Sequence, residues 1–146
     1  MSTYERIADA LARQDYAGMI DAVPYARYLD MRVEPAADGR HYRMPYRDDL
    51  IGNMRIPALH GGAVGGFMEQ AALFEALISQ SQRRIPRVID FGIDYLRSAR
   101  AEDLLAACIV VRQGRRVAQV RAEAWQSDPD KPVAAVRAVF LLQDID

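Results

Sequence analysis

The stretch HGGAVGGFMEQAALFEALI, residues 60–78, contains the longest helical pattern in the chain and decides the fold. The spacing predicts a helix over 62–80, and Pro86 prevents the helix from continuing far beyond that range. Because nearly every side of this helix is apolar, it has to be surrounded by other elements. A curved antiparallel sheet wrapped around a central helix satisfies that requirement.

Four strands are predicted after the helix, because the apolar pattern changes there from helical spacing to alternation. Their sequences are VIDFGIDYL (88–96), DLLAACIVVR (103–112), RRVAQVRAEAWQ (115–126) and VAAVRAVFLL (133–142). Alternation in the first strand puts four side chains on one face: Ile89, Phe91, Ile93 and Tyr95. The second strand is apolar almost throughout, which predicts cover on both faces. Gln113-Gly114 joins it to the third strand as a tight turn.

Upstream of the central helix, the apolar spacing predicts a helix over 3–21 with Thr3 as its N-cap. Pro24 then breaks the helical register. Residues 31–46 predict two short strands joined by a turn at Asp38-Gly39.

Residues 47–59 have no clear period and are predicted to form a loop. Helices and strands are segregated along the chain, which places the protein in the α+β class. The predicted architecture is a curved antiparallel sheet around a long helix, with an extra N-terminal helix. At 146 residues the chain fits one domain, 1–146, of which residues 1–23 form a helical extension.

The composition narrows the function classes. A net charge of −1 argues against a general nucleic-acid binder, which needs a basic face. The N-terminus lacks an apolar signal-peptide core, and no apolar run approaches the length of a membrane span, so we expect a cytoplasmic protein with no membrane partner. Cys108 is the only cysteine, which excludes an internal disulfide and predicts a buried, inert thiol. Neither histidine belongs to a metal-ligand pattern, so no metal site is predicted.

Glu69 is the one acidic residue in the middle of the apolar helix, on a stripe with Gly65, Gly66 and Leu73. A buried carboxylate has to be paired, protonated or retained for chemistry, because burying it alone costs several kcal/mol. Desolvation would raise its pKa toward neutrality, where a general base works best. The alternatives are a helix-edge position or an arginine partner; Glu75, lower on the helix, is predicted to be a solvent-edge or interface residue.

The glycines at the start of the helix suit the same chemistry. Gly61 and Gly62 leave the first helical N–H groups uncovered, and these donors can stabilise a developing oxyanion. A tight turn with close packing is the alternative explanation. Gly65 and Gly66 each cost about 1 kcal/mol in a helix interior, so the facing sheet or a second copy of the helix is expected to need the space.

Several motifs in order carry a family resemblance: LHGG (59–62), the glutamate at the ninth position after His60, IDFGIDYLRSA (89–99) and GRR (114–116). Together they resemble the PaaI-type hotdog thioesterases of the 4-hydroxybenzoyl-CoA thioesterase superfamily, over residues 28 to 142. The resemblance implies a hotdog fold and hydrolysis of an acyl-CoA without a metal or other cofactor. It also implies at least a homodimer, with active sites across the interface, and a dimer of dimers as the alternative assembly.

The resemblance assigns roles residue by residue. Glu69 falls on the catalytic carboxylate, as general base or nucleophile, and the Gly61 N–H on the group that polarises the thioester carbonyl. His60 orients the loop or the thioester end, and Asn53 helps hold the water. Val88 stands where some relatives have a second water-holding hydroxyl.

The predicted substrate-binding residues lie near the motifs, and the arginines among them can contact coenzyme A phosphates. They are Gly62, Tyr95, Arg97, Arg112, Gly114, Arg115 and Arg116. A solvated hairpin is the alternative for the arginines. Two other functions stay open at this point, namely an acyl-CoA-binding module without hydrolysis and, ranked lower, a hydratase.

Overall fold

The structure, a computed structural model, describes residues 1–144. Three short helices come first, α1 (Thr3–Ala12), α2 (Tyr16–Asp21) and α3 (Pro24–Tyr28), followed by β1 (Arg32–Ala36) and β2 (Gly39–Met44). A 3₁₀ turn (Asp48–Leu50), β3 (Ile51–Asn53) and β4 (Ala58–Leu59) lead into the long helix α4 (Gly61–Ile78). The last four strands are β5 (Ile85–Tyr95), β6 (Leu104–Gln113), β7 (Val117–Trp125) and β8 (Ala134–Gln143).

The main sheet has six antiparallel strands in the order β1-β2-β6-β7-β8-β5, and α4 packs mainly against β5, β6, β7 and β8. Its buried side includes many small residues that are almost fully buried: Ala106, Ala118, Val120, Ala122, Ala124, Ala134 and Ala138. Small side chains let the helix lie close to the strands, and Phe67 and Phe74 of α4 are completely buried there. This is the predicted hotdog arrangement. Buried and more exposed side chains alternate along β7 and β8, as predicted.

The prediction of a single N-terminal helix over 3–21 is wrong, because the helix is interrupted after Ala12 and α1 and α2 are separate helices. Gln14 has a φ of 55°, a left-handed conformation that interrupts a helix. The Asp15 side chain then caps α2 by accepting from the Gly18 N–H at 2.9 Å. The N-cap of α1 is Ser2 rather than Thr3, in a reciprocal capping box with Glu5.

Pro24 begins α3 instead of ending a helix, since proline is favoured in the first helical turn. The stretch 47–59, predicted as a loop, contains the 3₁₀ turn and the small β3–β4 sheet. Both differences concern segments too short to show a period in the sequence.

β5 and β6 depart from the predicted face pattern. The pairing of β5 with β8 shifts between Val88 and Asp90, so Ile89 is a bulge residue whose side chain is 53 % exposed. Phe91 and Ile93 do pack against the core. β6 was predicted to be covered on both faces, but the side chain of Ile109 is 70 % exposed in the single chain.

Glu75, predicted to be a solvent-edge or interface residue, is not at a solvent edge in the single chain: it forms a largely buried ion pair between α4 and the sheet. Arg40 Nη1 donates to both carboxylate oxygens of Glu75 at 3.0 and 3.1 Å, and the Tyr42 hydroxyl donates to Oε1 at 2.7 Å. The neighbouring Cys108, predicted to be buried, is half-buried in the single chain, and desolvation raises the pKa of its thiol. Among residues 1–144 no helix is long and apolar enough to cross a membrane.

Candidate active site

The candidate site begins at His60, the N-cap of α4. Its Nδ1 accepts a hydrogen bond from the Gly62 N–H at 2.8 Å. Nδ1 is therefore unprotonated, and the neutral imidazole carries its proton on Nε2. The Ala63 and Val64 N–H groups donate to the His60 carbonyl oxygen at 3.0 and 3.1 Å. His60 thus satisfies the first turn of the helix with both its side chain and its main chain.

Tyr95, at the end of β5, holds the same turn from the sheet. Its hydroxyl donates to the Gly61 carbonyl oxygen at 2.7 Å. The peptide unit between Gly61 and Gly62 is consequently fixed at both ends, its oxygen by Tyr95 and its N–H by His60. A methyl group at Gly61 would lie 3.2 Å from the Tyr95 hydroxyl oxygen, so the close contact suits glycine.

The Gly61 N–H is the donor that this arrangement leaves free, with no acceptor within residues 1–144. It lies at the positive end of the α4 dipole, where an anionic oxygen is favoured. Fixed hydrogen-bond donors of this kind stabilise the oxyanion of an acyl-transfer transition state. The start of α4 can therefore polarise a carbonyl group.

A depression of about 400 Å³ surrounds this donor. Four of the predicted site residues, Asn53, Gly61, Tyr95 and Arg97, lie around it beside the apolar Leu59. Asn53 is exposed, and its side-chain oxygen accepts from the Arg55 N–H at 3.0 Å. The depression thus offers polar groups and one cation next to the free N–H.

Glu69 is half-buried on α4, and burial raises the pKa of its carboxyl above the ordinary value. It has no hydrogen-bond or ion-pair partner within the described part of the chain, so the alternative of an arginine partner does not apply there. Eight residues separate it from Gly61, which corresponds to about 12 Å along the helix axis. At this separation the carboxylate and the donor of one chain are too far apart to act on the same thioester group.

The structure divides the predicted substrate-binding residues between the two ends of α4. Gly62, Tyr95 and Arg97 lie at its start, whereas the hairpin that carries Arg112 and residues 114–116 lies near its end, beside Ser79. An 18-residue helix separates these groups by about 27 Å. Within one chain the hairpin arginines therefore do not reach the start of α4.

Tyr25 of α3 is a neighbour of the site that sequence reasoning missed. A methyl group at Gly66 would lie 2.6 Å from the Tyr25 hydroxyl oxygen, so the N-terminal extension occupies the space left by this glycine. Gly65 faces Ile93 and Tyr95 of the sheet, as predicted. The sequence feature that could have indicated a neighbour such as Tyr25 is Gly66, because the contact with the sheet accounts only for Gly65.

A six-stranded antiparallel sheet around a long helix, with an uncovered N–H at the helix start and a half-buried carboxylate on the same helix, is the arrangement expected of a hotdog thioesterase. The family model described as "Thioesterase superfamily" matches residues 57–133, more than half of the chain, and the chain belongs to this superfamily. The match confirms the superfamily, while the narrower PaaI-type assignment stays a prediction.

Individual relatives agree with this placement. The medium/long-chain acyl-CoA thioesterase YigI of Escherichia coli (strain K12) is 25 % identical over 135 residues, which cover 82 % of this chain and 86 % of that protein. The crystal structure of a Chromobacterium violaceum protein is similar with a TM-score of 0.77 and 39 % identity, covering 97 % and 99 % of the two chains. A Bacillus halodurans protein with CoA shares the fold, with a TM-score of 0.70, 16 % identity and coverage of 99 % and 93 %.

Proposed function

We propose that this protein hydrolyses acyl-CoA thioesters at sites formed by two chains, each combining Gly61 of one subunit with Glu69 of its partner. The observation that carries the proposal is their separation of about 12 Å along one helix, which is too long for a shared substrate within a chain. Two α4 helices that pack side by side in opposite directions bring the donor of each to the carboxylate of the other. A homodimer then contains two equivalent sites.

The groups support a direct chemical sequence. The Gly61 N–H binds the thioester carbonyl oxygen, and Glu69 of the partner subunit removes a proton from a water molecule. The resulting hydroxide attacks the carbonyl carbon, and the negative charge moves to the oxygen held by Gly61. When the carbon–sulfur bond breaks, the thiolate of CoA takes the proton back from Glu69, which leaves a free acid and CoA. These reaction steps use no cofactor.

Direct attack by Glu69 is the alternative first step. The carboxylate would form an acyl anhydride and expel CoA, and water would then cleave the anhydride. The half-buried position of Glu69 suits either role, since its loss of solvation makes the carboxylate more basic. Asn53 at the rim of the depression is proposed to hold the water.

The same packing gives the hairpin arginines a role in substrate binding. If the partner's Glu69 lies opposite Gly61, the end of the partner's α4 extends past Asn53 toward the mouth of the depression. Arg115 and Arg116 of the partner subunit would then join Arg97 in binding the phosphates of CoA. The name of the Escherichia coli relative and the CoA in the Bacillus halodurans structure support CoA as the carrier group.

The test is Glu69→Gln, assayed by the release of free thiol from a panel of acyl-CoAs. Because glutamine keeps the shape and removes the base, kcat should fall by about 10²–10⁴-fold. Glu123→Gln, a glutamate on the opposite face of the sheet, is the matched control and should keep wild-type activity. Wild-type turnover in Glu69→Gln would contradict the role of Glu69, and tight binding without any thiol release by the wild type would indicate a binding module instead.

A further inference from the structure

A second depression, the α1–α4 groove, lies between the N-terminal extension and the central helix. Its volume is about 380 Å³, within the usual range of small-ligand pockets. Most of its lining is apolar and comes from α1, α4 and the start of β5: Tyr4, Ile7, Leu11, Leu73, Leu77 and Ile85. None of the residues to which the proposed chemistry assigns a role lines it.

The groove starts next to the carboxylate. Leu73 in its wall is one helical turn after Glu69 on the same face of α4, and Gln70 follows Glu69 directly. In the other direction, Tyr25 contacts α4 at Gly66 and occupies that stretch of the helix surface. A chain that passes Glu69 away from the Gly61 end therefore meets the groove.

The groove is lined by few polar side chains, namely Thr3, Gln70, Arg83, Arg84 and the phenol of Tyr4. Gln70 is at the end near Glu69, and its side-chain oxygen is buried without a donor within residues 1–144. At the other end, Arg84 is paired with Asp144 at 3.1 Å. The other lining residues are aliphatic or aromatic, which favours a hydrocarbon chain over a polar ligand.

We propose that the α1–α4 groove receives the apolar tail of the acyl group, so the enzyme prefers medium-chain to short-chain acyl thioesters. This rests on the proposed function, with the thioester between Gly61 of one subunit and Glu69 of its partner. The tail then enters the groove of the subunit that supplies Glu69. From Gln70 to Leu77 the groove extends about 10 Å along α4, and each buried methylene should raise kcat/KM about fourfold.

Ala8 provides the test, because it lines the groove from α1 and has a small side chain. Ala8→Trp fills the groove, and kcat/KM for decanoyl-CoA should fall at least about tenfold, while that for butyryl-CoA changes less than about twofold. Ala12→Trp is the matched control, since Ala12 is an exposed alanine of the same helix that does not line the groove. It should leave both values unchanged.

Ala8→Phe, a smaller change, gives a second reading if the tryptophan variant does not fold, and thermal unfolding identifies which variants are folded. An unchanged ratio of decanoyl- to butyryl-CoA hydrolysis in a folded Ala8 variant would overturn the groove assignment alone. Absence of hydrolysis of every acyl-CoA by the wild type would instead overturn the proposed function, so the two failures are distinguishable.

Discussion

The Tyr95 hydroxyl donates a hydrogen bond of 2.7 Å to the Gly61 carbonyl oxygen and thereby ties the end of β5 to the first turn of α4. The next N–H in the chain, that of Gly62, is held by His60 Nδ1 at 2.8 Å. These two bonds fix the peptide unit that follows the free Gly61 N–H. The direction of that donor is therefore set jointly by a strand and by the loop before the helix.

Tyr95→Phe should slow catalysis with little effect on folding. Phenylalanine keeps the ring against Gly61 but removes the bond that orients the turn, so we expect kcat to fall about tenfold with KM nearly unchanged. The free energy of unfolding should fall by about 1 kcal/mol. Steady-state kinetics and urea unfolding measure both, and Tyr28→Phe, an exposed tyrosine of α3, is the control. A wild-type kcat in Tyr95→Phe would contradict the positioning role.

Glu69→Gln should be more stable than the wild type at neutral pH. Burial raises the pKa of Glu69 in the folded state, so between its unfolded and folded pKa the native protein binds more protons than the unfolded chain. Stability therefore falls as pH rises through that window and is lowest, with respect to this group, above the folded pKa. Glutamine has no charge to desolvate and avoids this loss.

The measurement is thermal unfolding of wild type and variant across the acidic to neutral range. The difference in melting temperature should be small at low pH and should grow in favour of Glu69→Gln as pH rises. Glu123→Gln, with its carboxylate exposed, should show no such trend. A pH-independent difference for Glu69→Gln would mean that burial of the charge has no energetic consequence.

Gly66→Ala should destabilise the protein through Tyr25. The new methyl group would lie 2.6 Å from the Tyr25 hydroxyl oxygen, and displacing the ring should cost about 1–3 kcal/mol, more than the roughly 1 kcal/mol that alanine gains over glycine in a helix. In a Tyr25→Ala background the same substitution should become neutral or stabilising. Chemical denaturation of the four proteins gives the coupling energy, and additive effects would show that the two residues do not meet.

Mixing two inactive variants should restore activity if the site spans two chains. The double variant Asn53→Ala/His60→Ala and the variant Glu69→Gln should each be nearly inactive alone. After subunit exchange, about half of the dimers are mixed and contain one intact site of two, so activity should return to about a quarter of wild type. Light scattering verifies at least a dimer, and mass spectrometry of differently tagged subunits verifies exchange. No recovery after verified exchange would place both groups in one chain's site.

The elements that the sequence predicted well are those whose burial repeats along the chain. Ala118 to Ala124 of β7 alternate regularly because one face packs under α4 throughout, and the apolar α4 required cover on all sides. The bulge at Ile89 was missed because one inserted residue changes the register without changing the composition. The break at Gln14 was missed because a single positive φ has no periodic signature.

For the site, residue types alone indicated Glu69 and the glycine donor, since a carboxylate in an apolar helix and glycines at a helix start are locally unusual. The role of Tyr95 depends on a contact across 34 positions, and that of Tyr25 on how α3 crosses α4. Such contacts follow from tertiary packing, which the local pattern does not contain. The separation of the hairpin arginines from the start of α4 also depends on tertiary packing and could not be predicted from the local pattern.

The free donor at the start of α4 belongs to the main chain, so alanine substitution does not remove it. Every residue except proline supplies an N–H at position 61, so Gly61→Ala would report the crowding of Tyr95 at 3.2 Å rather than the loss of a donor. Semisynthesis with glycolic acid at position 61 would exchange this one amide for an ester and delete the N–H, while leaving every side chain in place. The most informative variant of this protein is therefore one that its gene cannot encode.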